Sequence, residues 1–371
     1  MTNKILLDAN TLLTKKSGVG FYTEKIANEL INNHNDFETY FHFNNYFTND
    51  IGKKNVKLSI FNRFFFKNIK LKHFLNSRSI RNFIKKKNIK IFHQPNFITY
   101  DTGITNISTI HDLSFLFYPN FFLKDEIYFF EKFFEKSLKL NSKIIVHSNT
   151  IKKELNRHFN FPTKNIEVIY EDLRNTFKVL EKEKCKNFLT KYNLKYKKFF
   201  LVLGTLELRK NHEKIINIYK KLNDNIKLNY PLVISGMKGR YAEKVLDSIK
   251  NTKNCYYIDY LDEKLLNECY SSAKILFYPS IYEGFGIPPL ESMACGTPPM
   301  VSNLEVFNEI MQDSCIALDL QNEDIWIEKI NELLNSEELY QIYVQRGLKK
   351  SRNFKKGNTI RKILDLYSKL F

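Results

Sequence analysis

The run Tyr278-Pro-Ser-Ile-Tyr-Glu-Gly-Phe-Gly-Ile-Pro-Pro-Leu-Glu-Ser-Met-Ala-Cys-Gly-Thr-Pro298 changes character three times. An apolar segment, 274–279, reads as a buried strand. A loop follows with Glu283, Gly284 and Gly286. Pro288 and Pro289 suit a first helical turn, where a missing N–H costs little. Glu291 falls in that turn, and Gly296 ends the helix. The glycines let backbone N–H groups approach a ligand closely, and a helix start favours an anion. Two carboxylates flank that position. A carboxylate suits phosphate poorly but accepts hydrogen bonds from sugar hydroxyls.

The same alternation extends in both directions. Apolar strand candidates lie at 5–8, 89–92, 107–110, 143–147 and 166–169, and again at 198–203, 231–235, 255–259 and 299–302. Helical stretches separate them, including 21–31, 124–140 and 213–222. Strands alternating with helices imply parallel sheets covered on both faces. A charged passage, 173–197, separates two such blocks. The expected fold class is therefore α/β, with two Rossmann-like domains whose parallel sheets face a central cleft. The expected boundaries are 1–175 and 176–355, with the C-terminal helix (356–371) packing back on the first domain. Ligands in this architecture sit beyond the carboxyl ends of the strands.

Composition narrows the class further. The chain has 371 residues, 43% of them hydrophobic, enough for two cores. Gly 12 and Pro 9 exclude a collagenous or Pro/Gly-rich chain. The opening MTNKILLDANTLLTKKSGVG lacks a signal-peptide core, and five scattered Cys show no C-x-x-C spacing. A cytoplasmic location without disulfides is expected. Net charge is +18, and residues 51–90 supply most of it, with ten Lys, three Arg and no acid. Phe61, Phe64, Phe65, Phe66, Phe74 and Phe83 interleave those cations. The segment suits an anionic membrane surface, and nucleic acid is the less favoured partner. H-E-x-x-H, G-x-S-x-G, the Walker A loop and Asp-x-Asp are all absent.

The sequence from Glu283 to Glu291, within Y-E-G-F-G-x-P-P-L-E-x-M-A-C-G-T-P, closely resembles the nucleotide-sugar site of retaining GT-B glycosyltransferases. Family four is the nearest match, in its bacterial mannosyltransferase-like branch. Leu203-Gly-Thr-Leu-Glu-Leu-Arg-Lys-Asn211 resembles the family's G-T-x-E-x-R-K-N segment, whose lysine contacts the donor diphosphate. Lys210 matches that lysine, with Arg209 beside it. Thr205 stands where many members carry arginine. Ile234-Ser-Gly-Met-Lys-Gly239 resembles the loop lining the base pocket, through Gly236 and Lys238. Ser17-Gly18-Val19-Gly20 resembles a glycine loop that approaches donor phosphates or acceptor. Thr109-Ile-His111-Asp112 resembles a strand-end H-D motif whose histidine faces the transferred sugar.

The resemblance implies a GT-B fold and retaining, metal-independent transfer of a hexose from a nucleotide-diphospho-sugar to a saccharide or lipid-linked acceptor. GDP-mannose is the favoured donor, and surface polysaccharide the favoured product. His111, Arg209, Lys210 and Glu283 are the expected catalytic residues. Gly18, Gly20, Gly204, Thr205, Gly236, Lys238, Gly284, Phe285, Gly286, Ile287 and Glu291 are the expected donor contacts, with Glu291 on the ribose. No cofactor and no metal are expected. A peripheral enzyme at the inner face of the cytoplasmic membrane fits the basic segment. The alternatives are a nucleotide-sugar epimerase of the same architecture and a non-catalytic basic nucleic-acid-binding protein.

Overall fold

The computed structural model describes residues 3–13, 18–32, 36–44, 46–51, 69–174, 176–354 and 357–371, with side chains from 73 onward in the helix Ile69–Lys87. Ser17 of the first glycine segment and residues 52–68 of the basic stretch lie outside the described residues.

The chain forms two compact units. One comprises Met1–Tyr170 with Thr359–Phe371, and the other Glu171–Asn358. The first unit holds a seven-stranded sheet ordered β3-β2-β1-β4-β5-β6-β7. Its strands are Asn3–Asp8 (β1), Phe37–Phe43 (β2), Tyr46–Thr48 (β3), Ile91–Gln94 (β4), Thr105–Ile110 (β5), Lys143–Val146 (β6) and Ile166–Val168 (β7). All pairs are parallel except β2 with β3, whose short connection allows only an antiparallel return. The C-terminal helix Asn358–Leu370 places Ile360, Ile363, Leu366 and Tyr367 in one core with Ile5, Leu7, Ile26 and Ile107.

The second unit holds a six-stranded, all-parallel sheet ordered β10-β9-β8-β11-β12-β13. The strands are Phe200–Leu203 (β8), Leu232–Ser235 (β9), Cys255–Ile258 (β10), Ile275–Tyr278 (β11), Pro299–Ser302 (β12) and Ile316–Leu318 (β13). The central segments, Phe-Leu-Val-Leu and Ile-Leu-Phe-Tyr, are continuous apolar runs, as a strand covered on both faces requires. Strand order reverses between β8 and β11, which pair in register Leu201 with Leu276. The carboxyl ends of those two strands flank the switch point where such folds bind ligands. All five cysteines are free and buried. Among the described residues, no helix is long and apolar enough to cross a membrane.

Candidate active site

Two loops meet at the switch point of the second sheet. After β8 the chain passes Gly204, makes a 3-10 turn at Leu208–Lys210, and turns into the helix His212–Lys221 at Asn211. Asn211 is left-handed, φ 53°, a conformation that asparagine tolerates better than most residues. This turn delivers Arg209 and Lys210 to the strand end. After β11 the loop 279–286 carries Glu283, and the helix Ile287–Ala294 follows.

Gly286 makes that entry possible. Its φ is +102°, and a Cβ there would lie 2.7 Å from the Phe307 ring. The helix begins at Ile287, so Glu291 is its fifth residue, just past the first turn in which the proline spacing places it. Gly236 answers a different constraint. A Cβ there would lie 1.9 Å from the Gly204 carbonyl oxygen, so the loops after β8 and β9 touch backbone to backbone.

The charges converge tightly. Lys210 Nζ lies 2.6 Å from Glu283 Oε1, and Arg209 lies 2.9 Å from Glu283 Oε2. Lys210 also donates to the Tyr278 hydroxyl at 2.6 Å, and Tyr278 donates to Glu283 at 3.0 Å. Glu283 is buried. Burial alone would raise its carboxyl, but Arg209 and Lys210 outweigh that and hold it at about 2. Burial, with Arg209 alongside, lowers the Lys210 ammonium in spite of Glu283.

The two cations differ in freedom. Arg209 also bonds the Tyr282 carbonyl at 3.0 Å and Glu207 at 3.0 Å, and its own carbonyl accepts from Ile281 N–H. It ties the two loops together. Lys210 has three N–H donors, and the two described partners leave it capacity for an anion. Its aliphatic chain lies over Gly204, within 3.4–3.6 Å of where a Cβ would sit.

Glu291 sits in a second cluster. Arg174 donates to its Oε1 at 2.8 Å and Tyr270 to its Oε2 at 2.9 Å. Burial raises this carboxyl, and Arg174 and Tyr270 only partly offset it. Arg174 also reaches Glu263 at 3.4 Å and lies 4.7 Å from the Phe177 ring centre. Sequence reasoning missed Arg174, because 117 residues separate it from Glu291.

The other expected residues fall as follows. Thr205 and Gly204 lie in the β8 loop. Lys238 sits over the Tyr257 ring at 5.9 Å. The Phe285 side chain is buried edge-on against Phe354, so that residue can offer only its backbone to a ligand. Gly284 and Ile287 flank it in the Glu283 loop and the helix start. In the first unit, Gly18 and Gly20 are not in a loop: the helix expected from about Phe21 begins at Gly18. His111 follows β5, with Nε2 bonded to the Pro95 carbonyl at 2.8 Å and Nδ1 facing His147 at 3.1 Å. It therefore belongs to the first unit, and the Lys210 and Glu291 clusters to the second.

The Glycosyltransferase Family 4 description matches residues 16–171, and Glycosyl transferases group 1 matches 186–350. The chain is 29% identical over 284 residues to O-antigen chain mannosyltransferase B of Escherichia coli, covering 76% of this chain and 74% of that one. It is 30% identical over 245 residues to O-antigen chain mannosyltransferase RfbU of Salmonella typhimurium, spanning 64% of each. Its fold matches WaaG, a glycosyltransferase involved in lipopolysaccharide biosynthesis, with TM-score 0.75 at 12% identity over 98% of this chain and 99% of that one.

Proposed function

The chain belongs to the GT-B glycosyltransferases, family 4 in its first half and group 1 in its second, and on that footing we propose that it transfers a hexose with retention of anomeric configuration. The observation that carries the reading is the cluster at the β8–β11 switch point, where one ammonium with spare donors adjoins a carboxylate kept ionised. The donor is a nucleotide-diphospho-sugar; the mannosyltransferase relatives support mannose as its sugar, and the sequence resemblance favours GDP as the nucleotide. The acceptor is a saccharide or lipid-linked precursor of a surface polysaccharide.

Each residue then has a task. Lys210 stabilises the leaving diphosphate, and Arg209 fixes the loops that hold it. Glu283 and the backbone at Phe285–Ile287 hold the sugar. Glu291, oriented by Arg174 and Tyr270, accepts from ribose hydroxyls. The bond from the anomeric carbon to the diphosphate oxygen breaks. The acceptor oxygen bonds that carbon on the same face, and its proton passes to the departing phosphate oxygen. Lys210 and Arg209 supply the positive charge, so the diphosphate step calls for no divalent metal. The first unit, with His111, takes the acceptor. The enzyme works in the cytoplasm at the membrane's inner face, where the helix Ile69–Lys87 brings Lys85–Lys87 and an exposed Phe74.

The test is an NMR time course of GDP-mannose with the protein and a mannose-bearing acceptor. Formation of an α-linked product supports the reading. A β-linked product overturns retention, and a new nucleotide-sugar formed without acceptor points to an epimerase.

A further inference from the structure

The second unit carries a cleft of about 680 Å³ away from the donor loops. That volume is ordinary for a small-molecule site. Lys198 lies just before β8 and Lys274 just before β11. The cleft therefore opens at the amino ends of the two strands whose carboxyl ends lead to Lys210 and Glu283. Lys197 joins them, so three ammoniums line one cleft, and among the described residues Glu337 is the one carboxylate that lines it.

These cations are poorly matched inside the protein. Lys197 Nζ donates to the Gly296 carbonyl at 3.1 Å and the Thr297 hydroxyl at 2.8 Å, both neutral. Lys198 Nζ donates to the Tyr230 hydroxyl at 3.0 Å. Lys274 is buried, with Nζ 3.4 Å from the Tyr340 ring centre and 3.4 Å from Glu337, a side chain that is itself 69% exposed. Each ammonium has three N–H donors, so all three keep capacity for an anion. The backbone also holds Lys197 in place at a cost. Its φ is +56°, a left-handed conformation unusual for lysine, and its N–H donates to the Ser272 carbonyl at 2.7 Å. Burial, with Lys274 adding to it against Cys295, lowers the Lys197 ammonium to about 7. An anion in the cleft would favour the charged form again.

We propose that this cleft binds a phosphate monoester, with the dianion among Lys197, Lys198 and Lys274 and the ester's apolar group against Leu334, Val344 and Leu348. Three ammoniums against one carboxylate leave two positive charges, and a phosphate monoester near neutral pH carries about −1.5 to −2. Lysine meets phosphate as a point charge, and among the described residues no arginine, the better fork for a planar carboxylate, lines the cleft. The site shares no residue with the Lys210 or Glu291 clusters, so it stands or falls apart from the donor reading.

The full chain, with GDP in excess to fill the donor site, is titrated calorimetrically with phenyl phosphate. The expected result is one equivalent bound with Kd below about 1 mM. Lys198→Gln and Lys274→Gln should each weaken binding at least about tenfold, the loss of one charge-assisted bond. Lys244→Gln, an exposed control outside the cleft, should not. Circular dichroism checks that each variant folds. Phosphatidylcholine vesicles with and without phosphatidic acid separate the two sources of a phosphate monoester. Vesicle binding that Lys198→Gln weakens makes the ligand a lipid headgroup, and vesicle binding indifferent to that substitution makes it a soluble ester. Absence of saturable phenyl phosphate binding by the unmodified chain overturns the proposal. So does unchanged affinity in a folded Lys198→Gln variant. Failure of GDP to bind counts against the donor reading instead, and the cleft variants are then compared in the same way.

Discussion

At the carboxyl ends of β8 and β11, Lys210, Arg209 and Glu283 meet as full charges at 2.6 and 2.9 Å. At the ends of β4, β5 and β6 the groups that meet are imidazoles and hydroxyls. His93 bonds Tyr367 and Thr109, Tyr22 also bonds Thr109, and His111 faces His147. Burial, with His111 adding to it, holds His93 at about 3, and burial holds His147 at about 4. The same strand-end architecture thus carries ionised groups at β8 and β11 and neutral ones at β4, β5 and β6. On the proposed function the division is chemical: a departing diphosphate needs charge, whereas an acceptor hydroxyl needs hydrogen-bonding groups that do not compete for protons.

The comparison breaks most severely at Glu283. Glu283→Gln leaves two cations without their shared carboxylate in a buried site. Loss of about 3–5 kcal/mol of stability is expected by urea unfolding. A change under about 1 kcal/mol would mean that solvent screens the cluster and that the sheet edges differ less than their geometry implies.

Arg174→Met sharpens the contrast within the second unit. With Arg174 gone, burial pushes the already raised Glu291 carboxyl further up, with Tyr270 its remaining partner, Glu263 nearby and Cys295 close by. Donor binding that needs the carboxylate then weakens as pH falls, with KM rising about tenfold and kcat little changed. The wild type should show a shallower dependence. A uniform rise in KM at every pH would show that Arg174 acts by packing alone.

The smallest effect concerns His212, which is buried below Lys210 with neither ring nitrogen in a hydrogen bond of good geometry. Burial and then Lys210 hold it at about 4, against a weaker pull from the Gly204 backbone. The unfolded chain binds this proton from about 6.5 downward and the folded chain only near 4, so stability falls with pH across that window. His212→Leu should flatten the fall in Tm between pH 6.5 and 4 and change Tm at pH 8 by only a few degrees. An unchanged acid profile would place the titrating group elsewhere.

Much of this was legible in the residues, and for physical reasons. Parallel strands covered on both faces are unbroken apolar runs, so β8, β9, β11 and β12 stand out. The strand β2, Phe-Glu-Thr-Tyr-Phe-His-Phe, breaks its aromatic residues with Glu, Thr and His, and together with β3 and β13 it escaped that reading. The Glu283–Glu291 loop was legible because its glycines and prolines constrain the backbone locally. Arg174 and the His111–His147 pair were not, since each contact exists only once distant segments are in register. The helix start at Gly18 was hidden by glycine's weak helical preference.

The account rests on Lys210 as the cation that meets the donor diphosphate. Calorimetric titration of the wild type and Lys210→Ala with GDP-mannose tests it most directly. The account predicts one site in the wild type and affinity at least tenfold weaker in the variant, a loss of about 1.4 kcal/mol or more. Equal affinity in a folded Lys210→Ala variant would contradict it.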